Sequence, residues 1–495
     1  MAFIFFMPNL ANESFPISME QLLNIDGLFG YLYLVNNILA VFVMVYVVLD
    51  NRNPIRTLAW IMALLFLPFL GLLLYFFFGR NTKKQKYINR RSLSQIQQRS
   101  HLYYRSQGGV VSPAEYSHLV AYLENTASAY PMAGSSVRVI GSTAVFVEEL
   151  ISAIAGAKEH IHLQFYIFEN DELGTRVRDA LAAKAREGVE VRVIYDSVGC
   201  WSVPRGFFEE IRFAGGQVEA FLQVRFPILG NRLNYRNHRK VVVVDGSVGF
   251  VGGCNLADRY VKGTSRGGWR DTMLAISGAA VHGLQTSFLI DWYFANNSLV
   301  SGKRYFPQAL PQGSAMVQVA QSNPVGSNRV IMSALVMLIG AARRYVYIQT
   351  PYLALTDSMI LAMRNAALSG VDVRLMIPMR SDSRLADYAS YSYLGTLLEA
   401  GVKVLLYNGG MLHCKTVVSD DAVSSVGSAN FDFRSFYYNF EVTALVYDGA
   451  VARDLKSLFV SDEKCSVQLT ARSYAARPFV RRCLESAARL FSPIL

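Results

Sequence analysis

Charge is scarce in this chain. Only 17% of its 495 residues are Asp, Glu, Lys or Arg, against 52% apolar, which is leaner in charge than a typical soluble domain. Cysteine is scarcer: Cys200, Cys254, Cys414, Cys465 and Cys483 are five, scattered, with no CxxC pair. That excludes a disulfide framework and the common zinc spacings, and it suits a reducing compartment. No His/Asp/Glu cluster has metal-ligand spacing, so no metal and no cofactor is expected. No Lys or Arg precedes Gly27, and the apolar run that begins there is too long for the core of a cleaved signal peptide.

Acid is the rarer sign. There are 37 acidic and 48 basic side chains, a formal charge of +11. Such a balance favours an anionic partner, either nucleic acid or an acidic lipid surface, and charge alone does not choose.

What the chain has is apolar length. Residues 27–49 form a run of 23 residues without a charge, and residues 58–78 another of 21. Each is long enough to cross a hydrocarbon core of ~30 Å as a helix. Two transmembrane helices (about 27–49 and 58–78) are expected, in preference to a pair of buried core helices. The connection Asp50–Thr57 holds Pro54, Arg52 and Arg56, so it predicts a hairpin. Arg80, Lys83, Lys84, Lys86, Arg90 and Arg91 follow. Six basic residues against two place the large body in the cytoplasm, with the basic run against anionic headgroups. Residues 1–100 are expected to be a membrane anchor with a basic linker.

The rest reads as one unit written twice. HIHLQFYIF at 160–168 predicts a buried strand, 173–187 a helix, and 188–196 a turn and strand. RYVYIQTPY at 344–352, 358–368 and 370–378 repeat that order, with Gly188 and Gly370 at matched turns. Strand–helix–strand alternation argues for parallel sheets covered by helices. The expected division is 101–298 for the first unit, 299–315 for a Ser/Gly/Pro linker, 316–470 for the second unit and 471–495 for a basic C-terminal segment. Residues 101–135 are expected to be a helix and loop leading into the first unit.

Near the end of each unit stands HxKxxxxD: His238, Lys240 and Asp245, then His413, Lys415 and Asp420. An asparagine follows each histidine by seventeen positions (Asn255, Asn430), each closing a small-residue turn. A carboxylate comes next: Asp271 and Glu441. The motif runs into Val241–Val244, so His238 and Lys240 are expected on a strand, facing one way. Asp245 and Asp420 would face the other way, as supporting groups. Asn255 and Asn430 can offer amide donors to a phosphate oxygen. The other histidines, such as His160 and His282, are read as structural or exposed. Cys254 and Cys414, beside the motifs, are read as packing residues.

The paired motifs resemble the HKD signature of the phospholipase D superfamily. The stretches 54–60 and 74–80, RNHRK at 236–240, WRDT at 269–272 and ESAARLFSPIL at 485–495 are similar to the bacterial cardiolipin synthases, so the resemblance spans nearly the whole chain. It implies two duplicated phospholipase D-like α/β units, with mixed, mainly parallel sheets packed together. It also implies a multi-pass enzyme of the bacterial cytoplasmic membrane. Its reaction would move a phosphatidyl group from one phosphatidylglycerol to another, giving cardiolipin and glycerol through a covalent phosphatidyl-histidine. Its partners would be anionic phospholipid and the bilayer, not nucleic acid. The implied roles are His238 as nucleophile, His413 as general acid and base, and Lys240, Lys415, Asn255 and Asn430 around the phosphoryl oxygens. Asp271 and Glu441 would orient the histidines.

Three rivals stay open from the residues. The same chemistry could use water or another alcohol as acceptor. A superfamily nuclease fits the positive charge but not the anchor. A silent scaffold fits poorly, because all six signature positions are filled. The C-terminal segment 472–490 carries five arginines among apolar residues, and reads either as lying along a membrane or as a helix docked on the body.

Overall fold

The computed structural model describes residues 19–50, 54–76, 90–106, 113–223, 234–265, 267–326 and 328–493. The chain forms two compact units, 1–81 and 82–495.

In the first unit, α1 (Met19–Leu49), α2 (Pro54–Phe66) and α3 (Pro68–Leu74) follow one another. Residues Gly30–Leu49 of α1 are long and apolar enough to cross a membrane, and large side chains such as Tyr31, Phe42 and Leu49 stand exposed on it. Helix α1 packs on α2 and α3 around Val47, Leu64 and Tyr75, with Trp60 edge-on to Tyr75 at 5.4 Å. The expected single helix over 58–78 is corrected. It breaks at Leu67, whose ψ is 64°. Pro68 has no N–H to donate and its ring would strike the carbonyl four residues back. Gly71 fits the kink because a Cβ there would stand 2.5 Å from the Ala63 carbonyl oxygen. Phe77, Phe78, Arg52 and the basic residues Arg80, Lys83, Lys84 and Lys86 lie outside the described residues.

In the second unit, α4 (Arg90–Ser106) comes first and packs on the helix Val281–Asn296. Ile96 is buried among Phe288, Leu289 and Trp292, so residues 90–100 belong to this body and not to the anchor. The helix Ser117–Ala127 also departs from expectation. Its Leu119, Val120 and Leu123 are buried with Ile331 and Leu338, in the core of the second repeat and not the first.

The first repeat supplies β1 (Met132–Ile140), β2 (His160–Phe165), β3 (Glu190–Asp196), β4 (Gln217–Phe221), β5 (Arg236–Asn237), β6 (Val241–Val244), β7 (Val248–Gly252), β8 (Gly268–Arg270) and β9 (Met273–Ser277). The second supplies β10 (Ala315–Ser322), β11 (Tyr345–Gln349), β12 (Asp372–Pro378), β13 (Lys403–Tyr407), β14 (Gly410–Leu412), β15 (Thr416–Ser419), β16 (Val423–Gly427), β17 (Asn439–Tyr447) and β18 (Ser466–Leu469). The strand order is β1-β9-β7-β6-β2-β3-β4 in one repeat and β10-β17-β16-β15-β11-β12-β13 in the other. Matched strands therefore sit at matched places. An antiparallel β1–β10 ladder joins the halves, and β18 closes the far edge.

The expected mixed α/β duplication is present, but its sheet is not mainly parallel. Within the main order only β2–β3–β4 and β11–β12–β13 run parallel. Those neighbouring strands are linked by helical crossovers, whereas β6–β7 and β15–β16 are hairpins, which must be antiparallel. Period-two alternation then sorts the side chains. Val242 and Val244 face the first repeat's helices, while Val241 and Val243 enter a layer shared with Val418, Val426 and Val442 of the second. The two sheets are packed together through that layer.

Candidate active site

The strand β6 begins at Val241 and β15 at Thr416, each one residue after its lysine. The His-x-Lys triplets are thus extended connections, and not the strand positions expected. Two short parallel ladders hold them, and both cross between repeats. Strand β5, just before His238, pairs with the start of β17; β14, just before His413, pairs with β8. The register continues into the histidines. The His238 N–H donates to the Phe440 carbonyl at 3.0 Å and the His413 N–H to the Arg270 carbonyl at 2.7 Å.

One residue beyond each of those carbonyls stands a carboxylate. Glu441 therefore meets His238 Nδ1 at 3.0 Å, and Asp271 meets His413 Nδ1 at 2.6 Å. Each motif histidine is paired with a carboxylate from the other repeat. A carboxylate only accepts, so Nδ1 carries the proton and Nε2 keeps its lone pair in the neutral ring. Burial pushes both histidines down to about 4, against the pull of the carboxylates. Burial opposes ionisation of Glu441 as well, but His238 and Lys240 outweigh it and hold the carboxyl below its ordinary value.

The carboxylates are held differently. Glu441 also accepts from the Ser428 hydroxyl and from Asn439 Nδ2 at 3.1 Å. Asp271 accepts from the Thr272 N–H at 2.8 Å. Gly253 stands where the second repeat has Ser428, and a Cβ there would collide with the Asp271 carboxylate.

His238 and His413 line one cavity of about 310 Å³, together with Asn255 and Asn430. Tyr166 lies edge-on to His238 with ring centres 5.0 Å apart, and Trp269 and Tyr260 lie 5.2 and 5.6 Å from His413. Asn255 Nδ2 donates to the Tyr260 hydroxyl at 2.7 Å and Asn430 Nδ2 to Asp432 at 3.0 Å. Each amide has two protons, which leaves one apiece. Lys240 and Lys415 are buried and donate to the carbonyls of their own motif histidines, Lys240 at 2.7 Å. Burial lowers both ammonium groups.

Asp245 and Asp420 are elsewhere. Asp245 accepts the backbone N–H groups of Lys158, Glu159 and His160 at the entry to β2. Asp420 does the same for Arg343, Arg344 and Tyr345 at the entry to β11. Four-residue strands carry them away from the cavity, and they fix strand starts.

The family described as "Cardiolipin synthase, PLD-like domain" matches residues 150–292 and 335–462, and that described as "Phospholipase D-nuclease N-terminal" matches 38–80. The chain is 38% identical over 484 residues to the major cardiolipin synthase ClsA of Bacillus subtilis, covering 96% of this chain and 100% of that one. It is 36% identical to a cardiolipin synthase of Alkalihalophilus pseudofirmus, over 94% of each. The chain belongs to the cardiolipin synthase family.

A phosphatidylserine synthase of Haemophilus influenzae shares the fold of this family member, with a TM-score of 0.59 at 16% identity over 77% of this chain and 100% of that one. In this cardiolipin synthase family member, sequence reasoning missed the aromatic lining and the support of Glu441. Tyr166 and Tyr352 follow the matched strands β2 and β11 and both line the cavity, so the repeat itself carried that signal. Nothing in the spacing marked Ser428 or Asn439. Cys254 and Cys414 are buried in apolar clusters, as packing groups. Among the described residues, no three His, Cys, Asp or Glu side chains gather as a metal-binding group.

Proposed function

We propose that this chain is a cardiolipin synthase that works through a phosphatidyl-histidine. The observation that carries the reading is the convergence of two cross-repeat His–carboxylate pairs on one cavity. His238 Nε2 attacks the phosphorus of one phosphatidylglycerol, while His413 gives a proton to the departing glycerol oxygen. His413 then takes the proton from a hydroxyl of a second phosphatidylglycerol, which attacks the phosphorus and breaks the P–N bond. Cardiolipin leaves, His238 is again a neutral ring, and His413 returns to solvent the proton it took up with the substrate.

Both rings are neutral before substrate arrives, so the acid must gain its proton with the phosphodiester. The anionic phosphate opposes the effect of burial. The assignment of His413 as acid draws support from the carboxylates. Glu441 is shared among three donor groups, His238, Ser428 and Asn439, whereas the Asp271 carboxylate is shared between His413 and the Thr272 N–H. The spare amide protons of Asn255 and Asn430, and the field of Lys240 and Lys415, stabilise the equatorial oxygens.

The apolar α1 fits attachment to a membrane. We propose two passes, with the catalytic body on the cytoplasmic side, from the charge asymmetry of the flanking segments.

The test is the purified full chain in detergent with phosphatidylglycerol as sole lipid. Cardiolipin and glycerol in equal amounts are expected. Phosphatidic acid without cardiolipin would make the enzyme a hydrolase and overturn the reading.

A further inference from the structure

The helix Phe479–Arg489 is seated through Glu485 and Ala488, its buried residues. Glu485 is only 2% exposed and accepts from Arg477 and, at 3.0 Å, from Arg481. The guanidinium groups of Arg481 and Arg489 lie over Tyr391 and Tyr393 of the helix Arg384–Glu399, at 4.7 and 4.6 Å. The apolar face looks outward. Phe479, Val480 and Leu490 are 77%, 68% and 80% exposed, and Leu484 and Phe491 about half. Positions 480, 484, 487 and 491 recur at intervals of four, three and four, so they form one stripe. A helix on a water-facing surface shows the opposite polarity, and a contiguous exposed apolar stripe marks an interaction surface.

Two further observations identify what covers it. Arg472 and Arg482 are exposed in the same C-terminal segment and make no ion pair among the described residues, so the segment's exposed surface carries positive charge as well as the stripe. The helix Arg384–Glu399, on which the segment is seated, gives Ala386, Ala389 and Ser390 to the catalytic cavity. The stripe is therefore one helix removed from the reacting histidines. Exposed apolar side chains with exposed arginines in the same segment fit the headgroup boundary of an anionic bilayer.

We propose that the stripe from Phe479 to Phe491 docks on the surface of a bilayer rich in anionic phospholipid and holds the catalytic cavity against it. This rests on the reading that the cavity handles phospholipid. It adds a contact outside the apolar helices of the first unit, made by the catalytic body itself.

Cys483 lies exposed within this helix and Cys465 is the other exposed thiol; Cys200, Cys254 and Cys414 are buried. A Cys465→Ser full chain, reconstituted in vesicles, is labelled at Cys483 with a polarity-sensitive dye. In phosphatidylglycerol vesicles, quenching by nitroxide-bearing lipid should exceed that in phosphatidylcholine vesicles about tenfold, from the attraction of the two arginines. Val480→Asp with Leu484→Asp should abolish the lipid quenching. It should also raise the apparent KM for vesicle lipid about tenfold or more, with turnover in detergent micelles unchanged. A dye that stays open to aqueous iodide and blind to nitroxide lipid would overturn the proposal. So would protection that follows protein concentration rather than lipid, which would assign the stripe to a second copy. The dye reports docking without turnover, so a silent enzyme that still docks counts against the catalytic reading alone.

Discussion

His238 Nδ1 meets the carboxylate of Glu441, 203 positions away in the other repeat, at 3.0 Å. The ladder of β5 on β17 sets that pairing, and β14 on β8 sets the pairing of His413 with Asp271. Catalysis should therefore answer to changes in either repeat through the histidine of the other.

Replacing His238 or His413 by Ala should cut turnover by about 10³-fold or more, since each ring forms a bond or moves a proton in the slow steps. Mass spectrometry of the unaltered protein, quenched at alkaline pH during turnover because the P–N bond breaks in acid, should find phosphatidyl on His238. A label on His413 of the His238→Ala protein alone would reverse the two roles.

Glu441→Gln and Asp271→Asn keep shape and remove charge. Each should lower kcat by about 10²–10⁴-fold, because the amide cannot balance an imidazolium, while KM moves little. Ser428→Ala should act more mildly and through Glu441. Gly253→Ala should push Asp271 off His413 and lower kcat in a protein that still folds. A fall in KM-controlled binding with kcat intact would remove these groups from the proton path.

Asp245→Ala and Asp420→Ala should leave kcat per folded molecule near wild type and lower the melting temperature. Each loses acceptors for three backbone N–H groups, a cost of roughly 2–4 kcal/mol. Both aspartates also sit at positive φ, 52° and 57°, which Asn tolerates, so Asp→Asn should be the gentler change. A severe loss of kcat without loss of stability would return them to the reacting groups.

Acid should destabilise the body before its carboxylates titrate. His238, His282 and His413 stand at about 4 when folded because burial disfavours their charge, against an ordinary value of 6.5. Between pH 6.5 and 4 the unfolded chain binds protons that the folded chain refuses. Stability is thus full above 6.5 and is lost as pH falls through that window, by roughly 3 kcal/mol for each histidine. Melting of the detergent-solubilised protein at pH 7.5 and pH 5 checks it, and an unchanged midpoint would refute it.

Much of this was legible in the residues. The repeat, the strands near His160 and Tyr345 and the six signature positions follow from periodicity and spacing, which local chemistry dictates. What stayed hidden depends on contacts between distant segments. No spacing says that Glu441 serves His238 and not the histidine of its own repeat. Hydropathy treated 58–78 as one run, because Pro68 is apolar enough to pass unnoticed while its missing N–H breaks the helix. The hairpins β6–β7 and β15–β16 were masked by the strand–helix–strand signal before them. Asp245 and Asp420 show the reverse case: alternation along a short strand was enough to turn them away from the cavity.

The interlaced ladders also bear on ancestry and dilution. A polypeptide with one such half could finish neither imidazole–carboxylate couple without borrowing from a second molecule, and its rate would depend on how often two molecules meet. Fusing both halves makes that meeting permanent, so a lone enzyme in a sparse membrane stays competent.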